Sequence, residues 1–174
     1  DVNKFAGAFN GNGKTVSGIY INSTSYYQGL FGYVYGSTID NLGVVDSYIY
    51  SSRDYIGGIA GYVVSGTISD CFNAASIRGN SDNVGGILGH GKGVIGGEVT
   101  VVRCYNSGMV VGAGNYVGGI VGYLYSGSVI ENCFTTGTIR GSGYIGGLSG
   151  YVAASTIQTS YSSASISGSS YSGG

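Results

Sequence analysis

Residues 55–62 read YIGGIAGY, and the same words return as YVGGIVGY at 116–123 and YIGGLSGY at 144–151. Glycine-rich words can cradle a phosphate where a helix N-terminus follows and offers its free N–H groups. No helical pattern follows any copy, and no copy contains Lys. The glycines read instead as the phase mark of a repeating scaffold. There they permit close backbone approach or an unusual dihedral.

Anchoring each unit on the glycine before the apolar pair gives Gly29, Gly58, Gly86, Gly119, Gly147 and Gly174, with steps of 29, 28, 33, 28 and 27 residues. The long step holds an insertion near HGKGVIGGEV (His90 to Val99). Three residues before the anchors stand Tyr26, Tyr55, Asn83, Tyr116, Tyr144 and Tyr171; just after the closing glycines stand Tyr33, Tyr62, His90, Tyr123 and Tyr151. Further on, Ile39, Ile68, Val101, Ile130 and Ile157 form a column. Leu42, Cys71, Cys104, Cys133 and Ser160 form the next, and Ile49, Ile77, Val110, Ile139 and Ile166 a third.

Each unit thus holds three short apolar segments, rich in Ile, Val, Tyr and Thr, between Gly, Ser, Asn and Asp. Such residues favour strands, and no window pairs helical spacing with good helix formers. The pattern predicts an all-β chain, a parallel β-solenoid with 27–29 residues and three strands per rung. Rungs stack about 4.8 Å apart, so each column becomes a ladder. A right-handed β-helix follows from the handedness of parallel crossovers. Residues 1–28 read as a shortened opening rung or cap, where NGNG at Asn10 marks a turn. Residues 29–174 read as five rungs and the start of a sixth, in one domain.

Composition supports this. The chain has 174 residues, 36 Gly, no Pro and only 9% charged residues, yet 43% are hydrophobic. Disorder needs low hydrophobicity and high net charge. The net charge is -1 with no basic stripe, so nucleic acid is not an expected partner. No apolar run approaches the roughly 20 residues of a membrane helix. No signal peptide is visible, and Asp1 in place of Met suggests a processed product or an excerpt.

The words GLFG, GIAG, GILG, GIVG and GLSG resemble the core of the GLUG repeat of bacterial surface and secreted proteins. IENCF at Ile130 and the opening FAGAFNGNGKTVSGIYI are similar to that family as well. The resemblance covers nearly the whole chain. It departs in the third unit, where His90 replaces Tyr and the insertion falls, which puts that rung's shape in question. The family implies extracellular, modular, non-catalytic pieces of larger proteins and carries over no catalytic residue.

Several residues invite chemistry. Cys71, Cys104 and Cys133 share one ladder. In-register Cβ atoms stay about 4.8 Å apart, outside the usual disulfide range, so buried free thiols are expected. Asp54 and Asp82 share a turn position, flanked by Ser25 and Asn115. Carboxylates about 5 Å apart suit a retaining glycosidase or a weak Ca²⁺ site, but solvated turn aspartates are the favoured reading. No cofactor and no firm metal site is expected. Arg78 and Arg140 sit in one outward column with Val111 between them and offer a grip for a carboxylated glycan; solvated surface Arg is the plainer reading. Thr38, Thr67, Thr100 and Thr156 form a single Thr column, short of the two an ice-binding face needs. Tyr26, Tyr55, Tyr116, Tyr144 and Tyr171 offer a stripe for sugars or proteins, weighed against packing at a rung corner. Asn22-Ser23-Thr24 is a glycosylation sequon, informative only in a secretory host.

The chain stops at YSGG (Tyr171 to Gly174), where another rung should begin. Either it is an excerpt of a longer array, or its end stacks on another copy, head to tail. The leading expectation is a non-catalytic structural or adhesive module of an extracellular or cell-surface protein. It would partner neighbouring repeats or other copies of itself, with surface glycans or proteins as further ligands. A glycan-binding module using the Tyr stripe is the alternative. A β-helix polysaccharide-degrading enzyme stands behind both, because the few charges are scattered.

Overall fold

Each repeat closes into one turn of a parallel β-solenoid. The computed structural model describes residues 3–173, all in strands, turns and irregular segments. One sheet shows the stacking directly: Tyr20–Ser23, Tyr48–Ser51, Ser76–Gly79, Met109–Gly112, Thr138–Gly141 and Ser165–Gly168 lie side by side in sequence order. A second sheet of five strands stacks the short corner segments, two or three residues each, from Ile56–Gly57 to Tyr171–Gly173. The third, with thirteen strands, takes the rest of each turn. Every strand pairing between turns is parallel.

The expected columns are real ladders. Ile39 pairs with Ile68, Ile68 with Val101, Val101 with Ile130 and Ile130 with Ile157. Ile49, Ile77, Val110, Ile139 and Ile166 pair in the same way. These side chains fill the axis and are buried in the inner turns. In the last turn Ile157 becomes exposed. Burying one such side chain contributes about 1.5–3 kcal/mol, so ladder and core reinforce each other.

The turn bends at more places than the three segments implied. The first apolar segment splits into a corner dipeptide and a strand, as in Ile56–Gly57 and Ala60–Ser69. The second bends where Asn41, Asp70, Arg103, Asn132 and Thr159 adopt left-handed backbone, with φ between 47° and 60°. The opening segment joins the stack: Ala8–Ser17 pairs with Phe31–Val45 around an irregularity at Asn10/Lys14, where Asn12 and Gly13 are left-handed.

The third turn keeps its register in spite of His90 and the insertion. His90 pairs with Tyr62 below and Tyr123 above. The offset between turns is 28 residues at Leu88–Ala60 and 33 at Thr100–Thr67, which places the extra residues between those strands. They form a tight hairpin closed by Val94 N–H to Gly97 O at 2.7 Å and Gly97 N–H to Val94 O at 3.0 Å. Ile95 at its tip is fully exposed.

The repeated glycines serve close approach. Gly57, Gly58 and Gly61 are outside the left-handed region. A Cβ on Gly61 would lie 2.6 Å from the Tyr55 carbonyl oxygen and 2.7 Å from the Gln28 nitrogen. The corresponding atom on Gly122 would lie 2.6 Å from the Gly89 oxygen. The word therefore marks where one corner nests against the next.

Candidate functional site: a tyrosine face

The corner before each glycine word turns through a left-handed residue: Tyr27 (φ 61°), Tyr55 (72°), Asn83 (63°) and Tyr116 (61°). Register continues this column through Tyr144 and Tyr171. Tyr27, not Tyr26, holds the first place. The stretch from Tyr27 to the closing Gly32 is one residue shorter than that from Tyr55 to Gly61, and Gln28 pairs with Ile56. Tyr26 moves to the outer turn, where it is exposed and the Arg53 guanidinium stands 5.6 Å from its ring.

The rings of this column stack. Tyr27 and Tyr55 are 5.2 Å apart at 8°, Tyr116 and Tyr144 5.6 Å apart at 19°, and Tyr144 and Tyr171 4.9 Å apart at 12°. Beside it runs the column Tyr33, Tyr62, His90, Tyr123 and Tyr151. The two columns interlock, as at Tyr55–Tyr62 (5.2 Å) and Tyr116–Tyr123 (5.1 Å). Aromatic pairs at such distances stabilise by about 0.5–1.5 kcal/mol beyond area burial. The result is a half-buried aromatic face two rings wide. Lys4 caps one end, 5.4 Å from the Tyr33 ring and 5.1 Å from that of Tyr35.

The face breaks in the third turn. Asn83 brings no ring, and His90 replaces a tyrosine. A cleft of about 460 Å³ opens there, lined by Tyr55, Tyr62, Asn83, His90, Lys92, Tyr116, Tyr123 and Tyr125. Both His90 ring nitrogens are buried without a hydrogen-bond partner. Burial, and then the nearby Lys92 charge, lower the His90 pKa to about 4. Burial, and then the neighbouring phenols, raise Tyr62 to about 12. Burial likewise raises Tyr55 and Tyr123. Around neutral pH these four rings are therefore uncharged.

Other candidates lie elsewhere. Arg78 and Arg140 flank Val111 in one outward column, exposed, and neither lines the cleft. Asp54 is flanked by Tyr26 rather than Ser25, for the same one-residue reason. Its Oδ1 accepts from the Ser81 hydroxyl and, at 3.1 Å, from the Asp82 N–H. Asp82 Oδ1 accepts from the Asn115 N–H at 2.7 Å. These carboxylates tie turns together. Among the described residues no cluster of three or more His, Cys, Asp or Glu is placed to hold a metal. Cys71, Cys104 and Cys133 are free and buried, each S–H directed to a backbone carbonyl, such as Cys104 Sγ to Val102 O at 3.3 Å. Burial pushes the Cys104 thiol up.

Sequence reasoning missed three features. Phe72, Tyr105, Phe134 and Tyr161 form a second stack, with centroids 4.9–5.5 Å apart and planes within 8°. The recurrent aromatic after each cysteine was its signal. Next to it Asn73 and Asn106 are fully buried, and Asn73 Nδ2 donates to Asn106 Oδ1 at 2.7 Å. Thr135 follows in that ladder with its hydroxyl buried and unpartnered. The exposed Ile95 tip is the third.

Comparison with known proteins follows this geometry. Residues 113–140, one turn from before Tyr116 to Arg140, match the GLUG motif. The chain carries a GLUG motif. In GLUG terms, the glycine word is the nested corner, and the tyrosines on either side of it build the aromatic face. Among solved structures the fold is similar to that of a proposed immunoglobulin A1 protease from Bacteroides ovatus, with a TM-score of 0.63 and 19% identity. The match covers 92% of this chain and 62% of that one, and it speaks to fold alone. No curated protein matches the sequence.

Proposed function

We propose that this chain is a non-catalytic structural and adhesive module of an extracellular or cell-surface protein. Its rungs form a rigid rod, and the twin tyrosine columns are its contact surface. One observation carries the reading. Tyr27, Tyr55 and Tyr116 occupy left-handed backbone, which costs a bulky residue about 1–2 kcal/mol and suits Asn or Gly better. Asn83 occupies the same position, so the inexpensive choice is available to this fold. Tyrosine kept at such a site points to use of the ring.

Within this reading, glycans are the favoured ligands, because uncharged tyrosine rings offer an apolar face and a polar rim together. The test is a glycan array with the native chain, Tyr116→Ala and Tyr144→Ala. Native binding lost in both variants, with unfolding temperatures still cooperative, supports the glycan reading; no native binding to any glycan overturns it. End-to-end stacking, on neighbouring repeats or on other copies, is the mechanical part of the proposal. Negative-stain microscopy at high concentration tests self-stacking: filaments one solenoid wide support it, and compact monomers reject it.

A further inference from the structure

We propose that Asn12 is a modification site: a place of slow, water-driven deamidation, where the opening strand gains a carboxylate and, in part of the molecules, an isoaspartyl link. Water is the only reactant, and the inference is independent of the tyrosine face.

The chemistry needs an Asn whose side-chain Cγ can be reached by the backbone nitrogen of the next residue. A side chain on that next residue hinders the approach, and glycine removes the hindrance. The chain has two Asn-Gly pairs, Asn10-Gly11 and Asn12-Gly13, both in the NGNG word. By sequence the two are equivalent. The fold separates them.

Asn10 is held at both ends of its amide. Its Oδ1 accepts from the Asn12 N–H at 2.7 Å, and its Nδ2 donates to Asp40 Oδ2 at 3.1 Å. Its backbone is in the ladder, paired with Asp40. Gly11 is buried, and a Cβ there would lie 2.5 Å from the Asn41 oxygen and 2.9 Å from Leu42 Cβ. Neither the amide of Asn10 nor the backbone after it is free to turn.

Asn12 is placed the opposite way. Asn10 pairs with Asp40 and Lys14 with Leu42, so residues 11–13 bulge opposite Asn41 and have no partner in the register. Asn12 and Gly13 are exposed, with φ of 52° and 70°. The Asn12 side chain makes no hydrogen bond among the described residues, its backbone N–H alone being engaged. A Cβ on Gly13 would meet nothing within 4 Å. Rotation at the Asn12–Gly13 peptide therefore breaks no ladder pair and meets no neighbour.

The Gly13 nitrogen attacks Asn12 Cγ and gives up its proton. The new C–N bond closes a succinimide, the Cγ–Nδ2 bond breaks, and the amide leaves as ammonia. Water then opens the ring. Attack at Cγ restores the peptide bond and leaves Asp; attack at the main-chain carbonyl leaves the chain running through Cγ, as isoaspartate. The sum is Asn plus water to a carboxylic acid plus ammonia, with nothing oxidised or reduced. The isoaspartyl link lengthens the backbone by one methylene. In a ladder that would shift the register, but an unpaired bulge absorbs it. The carboxylate adds one negative charge to a chain whose net charge is only -1.

The test ages the native chain at mildly alkaline pH in water enriched in heavy oxygen, whose label enters the new carboxyl. Peptide mass spectrometry locates the label, and a protein isoaspartate methyltransferase counts the isoaspartate. Asn12 is expected to take up label at least about tenfold faster than Asn10, which must first release two hydrogen bonds. In the urea-unfolded chain the two should react at similar rates. Asn12→Gln should abolish the methyltransferase signal of the aged native chain, and the aged native chain should keep its denaturant midpoint. The proposal is overturned if Asn10 labels as fast as Asn12 in the native chain, if neither labels faster than the exposed Asn22-Ser23 pair, or if Asn12→Gln keeps the signal. A preference for Asn12 that persists in urea would overturn the role of the fold, and a midpoint that falls on ageing would overturn that of the bulge.

Discussion

At the residue scale, small differences between repeats decide more than the shared pattern. A glycine of the repeated word is fixed by its neighbours' backbone, not by its own φ. Gly122→Ala sets a methyl 2.6 Å from the Gly89 oxygen and 2.7 Å from the Val84 nitrogen. The expected loss is about 3 kcal/mol, measured by denaturant unfolding. Gly7→Ala is the control: its methyl meets only the Phe5 ring, at 3.9 Å, and the expected change is within about 0.5 kcal/mol. His90 gives the fold a pH dependence. It faces Tyr55, Tyr62 and Tyr123, with Lys92 nearby. Its folded pKa of about 4 lies below its ordinary value of 6.5. The unfolded chain therefore binds the proton more readily, and stability present above pH 6.5 is lost as pH falls toward 4. The difference is about 3 kcal/mol. His90→Tyr should remove that part of the slope between pH 6.5 and 4; an unchanged slope would assign the acid sensitivity to other groups.

At the element scale, ladders of like side chains set the energetics, and an interrupted ladder is a weak point. Thr135→Asn extends the buried Asn73–Asn106 ladder and gives Asn106 Nδ2 a further acceptor in place of an unpartnered hydroxyl. The expected gain is about 1 kcal/mol in the unfolding free energy; a loss would mean that the site cannot seat the amide. The cysteine ladder should be inert. Cys71, Cys104 and Cys133 are at most 1% exposed, so none should react with Ellman's reagent until the chain unfolds. Much of this was legible in the sequence. The Ile, Val and Cys columns predicted the core ladders because every inner turn repeats the same residue type at the same phase. What was not legible depended on one-residue offsets. YYQGLFG aligns with YIGGIAG without a gap from Tyr26, and only the backbone pairing selects Tyr27 over Tyr26. The phenylalanine–tyrosine stack was visible in the letters, but its function as a stack needed the outward direction of Phe72, Tyr105 and Phe134.

At the scale of the whole molecule, the solenoid converts a linear repeat into two long surfaces of different character. One is the single stack from Phe72 to Tyr161. The other is the wider face of paired tyrosines with its break at Asn83 and His90. The interior is uniform, so a ligand that distinguishes positions along the rod must read the outer face. The chain's low charge suits contacts made by ring faces and hydroxyls rather than by long-range attraction. The central claim is that the paired tyrosines are the contact surface for glycans. Its most direct test is two-dimensional NMR of the chain with ring-labelled tyrosine, titrated with any glycan that an array identifies. The account predicts shifts confined to Tyr55, Tyr62, Tyr116, Tyr123, Tyr144 and Tyr151. Shifts confined to Tyr105 and Tyr161, with the paired tyrosines unmoved, would contradict it.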